Sequence, residues 1–359
     1  MSQAPSQFSS SAPSHVLCPR RRTSTALAAL AALGLALVLA GCGGGSDDAA
    51  GKPEEGSASA VAGYPVTVRN CGTEVTFDEP PQRVVTIKST STELLLALGL
   101  GERIVGQAFG DGPVPEQWAE EAAGIPTISD EAPSQEVVLE HEPDLVLAGW
   151  ESNLAADTAG ERDQLARLGV HTYVSPAACQ APQDQPDRMT FDLLFDQFQE
   201  VGRILGAPEP AAELVREQRS LLAEVSRARP GTTALWWSSG EDTPYVGGGI
   251  GAPQMVLDVL GLDNVVGDVD QTWTSLGWEA IVDADPDVIV LVDATWNSAR
   301  DKIDQLESSP ATAELSAVRR QRYLVVPFPA AEAGVRSVPA AIDLSGQLGE
   351  LGLLEPTQR

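Results

Sequence analysis

From residue 64 onward the apolar positions switch between two periods. Val66-Thr67-Val68 and Val75-Thr76-Phe77 alternate with period two on either side of Asn70-Cys71-Gly72, which predicts a small hairpin. Val84–Ile87 predicts a short β-branched strand, and residues 91–100 a helix stopped by Gly99 and Gly101. Strands at 104–106, 125–128, 145–148 and 170–174 then alternate with helices at 135–142 and 160–168. The middle differs. Phe191, Leu194, Phe195, Phe198, Val201 and Leu205 recur at helical spacing, Gly206-Ala207-Pro208 interrupts, and a second helix is expected over 211–225. Alternation resumes with strands at 233–237, 264–266, 288–292 and 324–326, and helices at 254–260, 278–282 and 338–351.

Strands separated by helices of about ten residues indicate βαβ units and a parallel sheet covered on both faces. The pattern also repeats. Glu136-Val-Val-Leu-Glu-His-Glu-Pro143-Asp144 lies 143 residues before Glu279-Ala-Ile-Val-Asp-Ala-Asp-Pro286-Asp287, and Leu98-Gly-Leu100 before Val105-Gly106 is echoed by Leu260-Gly-Leu262 before Val266-Gly267. The expected architecture is therefore α/β, with two Rossmann-like lobes of mainly parallel sheet over 64–188 and 230–352. A helical segment over 189–229 joins them, and residues 353–359 form a tail. In open α/β sheets ligands bind beyond the carboxyl ends of the strands. Two such edges face each other across a cleft.

The start of the chain sets the compartment. Arg20–Arg22 precede an apolar run from Ala26 to Ala40, too short for a bilayer-spanning helix, which needs about 20 residues. Positive charge, a short apolar region and small residues read as a secretory signal over 1–41. Leu39-Ala40-Gly41-Cys42 is a lipoprotein pattern in which Cys42 carries the lipid and anchors the protein to the outer face of the cell membrane. Residues 42–63, rich in Gly, Ser, Ala and acid, suit a flexible tether. The chain carries 51 acidic and 23 basic residues for a net charge of −28, and loses three of the basic ones with the signal. That field repels nucleic acid and anionic lipid. Cys71 and Cys179 remain as an even pair in an oxidising compartment, so either a disulfide or two buried thiols is expected.

Loops after the predicted strands supply candidate ligand contacts. In the first lobe these are Lys88, Ser89 and Thr90, then Phe109 and Asp111, then Trp150 and Glu151; in the second they are Trp236, Trp237 and Ser238, then Trp296 and Asn297, then Phe328 and Arg336. Tryptophans at strand ends could stack on a flat conjugated solute or fill the cores. Lys88 and Arg336 could hold a phosphate or carboxylate, or pair with neighbouring acids. Gly247–Pro253 could be an anion-holding helix start or a plain turn. With His141 and His171 the only histidines after the signal and no Cys-His cluster, no metal site or cofactor is expected. No Gly-x-Ser-x-Gly elbow supports a hydrolase. A receptor feeding a transporter, a ligand-sensing lipoprotein and an enzyme on the same fold are the competing readings.

From Pro65 to Leu351 the chain resembles the substrate-binding proteins of ABC importers for ferric siderophores, haem and cobalamin. The marks are Arg83-Val-Val-Thr-Ile with Thr92-Glu93-Leu, Leu98-Gly99-Leu100 with Val105-Gly106, and the paired Glu-to-Pro-Asp segments. The resemblance implies lobes joined by one long rigid helix and a monomeric receptor that hands a small solute to a permease and its ATPase. In that family a surface glutamate on each lobe docks onto permease arginines, and Glu136 and Glu279 match those positions. Both also fit first-turn glutamates favoured by the helix dipole. The wording of Ala148-Gly-Trp150-Glu-Ser-Asn153, Leu235-Trp236-Trp237-Ser-Ser-Gly240 and Phe328-Pro-Ala-Ala-Glu-Ala-Gly-Val-Arg336 is similar to a branch predicted to carry a precursor of the deazaflavin coenzyme F-420.

Overall fold

The computed structural model describes residues Val61 to Pro356. The expected signal, Cys42 and nearly all of the tether lie outside the described residues. The chain opens with the hairpin β1 (Val66–Asn70) and β2 (Thr73–Phe77), paired antiparallel. The first lobe follows as β3 (Val84–Ile87), α1 (Ser89–Ala97), β4 (Ile104–Ala108), α2 (Ala119–Ala122), β5 (Thr127–Ser129), α3 (Gln135–Glu140), β6 (Leu145–Ala148), α4 (Arg162–Arg167) and β7 (His171–Val174). Its five strands lie in the order β5-β4-β3-β6-β7, all parallel. Every residue of β3 and β6 is buried, as helices on both faces require of a central parallel strand.

Two helices follow, α5 (Phe191–Ile204) and α6 (Pro208–Leu222). The apolar stripe of α5 packs on the first lobe, where Tyr173 donates its hydroxyl to Glu200 and Tyr64 caps the Arg203 and Ile204 carbonyls. Gly206, at φ 67°, turns the chain in a left-handed conformation that suits glycine, and Pro208 opens α6 at a position that needs no amide hydrogen. The crossing between lobes is thus made by α6, with α5 laid beside it on the first lobe.

The second lobe contains β8 (Thr233–Ser239), β9 (Tyr245–Gly247), α7 (Ala252–Leu260), β10 (Asp263–Asn264), β11 (Trp273–Ser275), α8 (Trp278–Ala284), β12 (Val288–Asp293), α9 (Ala299–Ser308), α10 (Ser316–Arg319), β13 (Tyr323–Pro327) and α11 (Ser337–Glu350). Its parallel part, β10-β8-β12-β13, mirrors β4-β3-β6-β7 of the first lobe. To this it adds β9 and β11 as an antiparallel edge, which the sequence pattern did not predict.

The sequence repeat has a structural meaning. Glu142 and Asp285 both turn out of their helices at positive φ, 46° and 39°, one residue before the repeated proline. The aspartates that follow then reach the neighbouring central strand. Asp144 accepts from the Gln82 and Arg83 amides at the start of β3, and Asp287 accepts from the Thr233 amide at the start of β8. Each Pro-Asp pair therefore registers one parallel strand against the next.

Candidate functional site

The carboxyl ends of the parallel strands in the two lobes face each other across a cleft of about 800 Å³. From the first lobe it is lined by Trp150 and Glu151 after β6 and by the segment 177–185 after β7. A disulfide between Cys71 and Cys179 ties that segment to the tip of the opening hairpin. From the second lobe come Ser238 and Ser239 at the end of β8, Tyr245, the segment Asp270–Trp273, Trp296, Phe328 and Glu332.

Five aromatic rings stand in the walls among polar side chains. Trp296, 60% exposed, stands edge-on to Phe328 with ring centroids 4.8 Å apart, and Tyr245 stacks on Trp273 at 5.8 Å. Trp150 is held edge-on by Phe109 at 5.6 Å and donates its indole N–H to Glu332 Oε2 across the cleft at 3.0 Å. Such rings offer flat apolar faces to a conjugated solute. Burial raises the Glu332 carboxyl above its ordinary range; the Trp150 hydrogen bond opposes the shift, Asp111 adds to it and Lys88 opposes it.

Lys88 sits behind this wall. It is buried, forms an ion pair with Asp111, and places Nζ 3.8 Å from the Trp150 ring centroid, 4.1 Å from Phe109 and 5.5 Å from Phe328. Its backbone lies at φ 80°, ψ 149°, a region that costs a side-chain-bearing residue about 1–3 kcal/mol and persists only where the surroundings fix it. Here the Ala108 carbonyl accepts the Lys88 amide, while Ser89 exchanges two hydrogen bonds with Asp111. Lys88 and Phe109 thus pack against Trp150, Ser89 holds Asp111, and none of the three is in the cleft lining. Thr90 packs beside Gly334 of the second lobe, where an added Cβ would lie 2.9 Å from its methyl group.

Several expectations need correction. Trp236 and Trp237 are wholly buried, because β8 runs on to Ser239 and both of its faces are covered by helices. Trp236 joins the core with α7 and α11, and Trp237 packs edge-on against Trp278 at 5.1 Å. Arg336 is not in the cleft lining. It forms an ion pair with the buried Glu93 of the first lobe, with Nε 2.7 Å from Oε2, and donates to the Pro113 carbonyl at 2.7 Å. Asn297 is half-buried outside the lining, its carbonyl accepting from Lys302. The glycine run is bonded along the cleft wall. The amides of Gly248, Gly249 and Ile250 donate to the carbonyls of Thr272, Val269 and Gln271. A Cβ on Gly248 would lie 2.1 Å from the Gln271 oxygen, so glycine allows the backbone of the cleft wall to seat directly on this turn.

Glu136 and Glu279 are exposed in the first turns of α3 and α8, which precede the equivalent strands β6 and β12. Tyr245, Trp273 and Glu332 line the cleft without having been singled out. The first two sit on the unpredicted antiparallel edge, while Glu332 lies inside the quoted Phe328–Arg336 stretch.

Residues 84–330 match the family described as periplasmic binding protein. The chain belongs to that family. Among curated relatives it is 27% identical over 320 residues to the uncharacterized ABC transporter substrate-binding lipoprotein YvrC of Bacillus subtilis (strain 168), covering 86% of this chain and 92% of that one. It is also 27% identical to the cobalamin-binding protein of Halobacterium salinarum, over 66% of this chain and 61% of the relative. Among solved structures, an ABC-type Fe3+-hydroxamate transport system from Saccharomonospora viridis aligns with TM-score 0.67 at 28% identity, covering 80% and 99% of the two chains. A periplasmic binding protein from Veillonella parvula aligns at TM-score 0.70 and 23% identity over 79% and 97%, a likeness of fold. Two of these relatives are named for ABC transport and one for cobalamin binding.

Proposed function

We propose that the protein is a lipid-anchored extracytoplasmic receptor that captures a planar conjugated solute between its lobes and delivers it to an ABC permease and its ATPase. The observation that carries this reading is the aromatic lining of the interlobe cleft, with Trp150 on one lobe and Trp296, Phe328, Tyr245 and Trp273 on the other. The solute proposed is a deazaflavin coenzyme precursor, on the wording of the stretches around Trp150 and Phe328. Trp150 and Trp296 stack on it, Phe328 backs them, and Lys88 with Phe109 fixes Trp150. Glu136 and Glu279 dock the two permease subunits. A second reading, a cobalamin or ferric-siderophore receptor, is favoured by the names of the relatives.

Native mass spectrometry and tryptophan fluorescence against deazaflavin precursors, cobalamin, haem and ferric siderophores separate the two. A deazaflavin precursor should quench fluorescence, and Trp150→Ala or Trp296→Ala should each weaken its binding by about 1–3 kcal/mol, the range for stacking on a planar base. Tight cobalamin or siderophore binding with no response to deazaflavins overturns the named solute and leaves the receptor. Unchanged affinity in both variants removes the stacking role.

A further inference from the structure

The two cations beside the interlobe cleft that the sequence singled out are committed elsewhere. Lys88 is buried against Asp111, and Arg336 is held by Glu93 and the Pro113 carbonyl. Among the described residues the lining contains no lysine, arginine or histidine, but it does contain the carboxyl groups of Glu151, Asp270 and Glu332. The amides of the glycine run, those of Gly248, Gly249 and Ile250, are bonded to the 269–272 wall. Glu151 and Glu332 are both half-buried with only Oε2 taken, by the Gln180 amide and the Trp150 indole, and Glu332 is the one bonded to an aromatic ring of the wall. Its Oε1 has no hydrogen-bond partner among the described residues.

We infer that the cleft selects neutral or cationic solutes over anionic ones of the same shape, with Glu332 Oε1 accepting an N–H or ammonium group of the ligand. An anionic group entering this space meets carboxylates with no compensating positive charge, in a protein whose net charge of −28 already repels it at long range. A solute N–H instead completes the hydrogen bonding of a carboxyl that Trp150 leaves half-satisfied. The inference rests on the reading of the cleft as the solute site, and it deepens that reading from shape to charge.

Two matched pairs test it by calorimetry on the purified mature protein. One is riboflavin against its 5′-phosphate, a planar pair differing by the phosphate. The other is a ferric trihydroxamate bearing a free amine against the same chelate succinylated at that amine. In whichever pair binds, the anionic member should be at least about tenfold weaker, and the gap should narrow in about 0.5 M salt, where exposed charges are screened. Glu332→Gln should narrow it as well, as should Asp270→Asn at the exposed mouth, which guards against a folding defect in the first variant. An anionic member that binds as tightly as its partner overturns the inference. Binding of the chelate pair alone refutes the planar solute, while the ratio within that pair still decides the charge rule. Tight haem or ferric catecholate binding with neither pair bound overturns the charge rule and leaves the receptor. Binding of nothing in the panel overturns both.

Discussion

Two lysines in this acidic molecule are buried, and their surroundings differ in a way that should be measurable. Lys88 has a carboxylate and three aromatic faces. Lys302 is fully buried, lies 5.9 Å from the Trp237 ring centroid and, among the described residues, donates to the backbone carbonyls of Val292 and Asn297, so it braces the loop that presents Trp296. Burial lowers the Lys302 pKa to about 8, although the charges of Asp293 and Asp301 pull it upward. Its value in the unfolded chain is 10.5. Between pH 8 and 10 the unfolded chain therefore holds more protons at this residue than the folded one, and stability from this group rises with pH at roughly 1 kcal/mol per unit. Tyr323, pushed up to about 12 by burial, acts in the opposite direction above its free value of 10.0, so the window closes there. Urea midpoints at pH 7.5 and 9.5 should show this rise in the wild type and a flatter response in Lys302→Met. Parallel responses would assign the rise to other groups.

At the scale of elements, the contact between α5 and α6 depends on one missing methyl group. A Cβ on Gly202 would lie 2.4 Å from that of Ala211 and 3.0 Å from the Ala207 carbonyl oxygen. Alanine in place of a mid-helix glycine normally stabilises by about 0.5–1 kcal/mol. Here the overpacking term, about 1–3 kcal/mol, should win and Gly202→Ala should lower the denaturation midpoint. A higher midpoint would mean that the helix pair separates freely. This close approach was invisible in the sequence, whereas the helices were plain from the spacing of Phe191, Leu194, Phe198 and Val201. The same contrast holds for the sheets. Apolar runs such as Val84–Ile87 and Val288–Val292 marked the central parallel strands because both faces are buried. The antiparallel β9 and β11 are three residues long, too short to carry a period to detect. Helix α9 did have a signal, the capping box of Ser298 and Asp301.

At the scale of the whole molecule, the repeat located the cleft but not its lining. The predicted strand ends bring Trp150, Trp296 and Phe328 to the cleft lining. For β8 the end was read two residues early, which moved Trp236 and Trp237 from a core to a surface. For Lys88 and Arg336 the pairing with acids holds, and the partners, Asp111 and Glu93, are distant in sequence and reach them only through the fold. Glu136 and Glu279 belong to the same repeat and give the sharpest test of what the whole assembly does. Each is exposed in the first turn of the helix before an equivalent strand, and each lies seven residues ahead of a strand-registering Pro-Asp pair. If a permease subunit grips each lobe there, its grip reports on the lobes without touching the cleft. Reversing both to arginine should then abolish uptake in cells while leaving the dissociation constant of the purified receptor within about twofold, below roughly 0.5 kcal/mol. Loss of the helix-dipole contribution alone, about 0.3–1 kcal/mol per residue, would lower stability slightly and leave uptake intact. Intact uptake in the double variant would therefore reduce both glutamates to helix-start residues and leave the route to the permease to be sought elsewhere on the lobes.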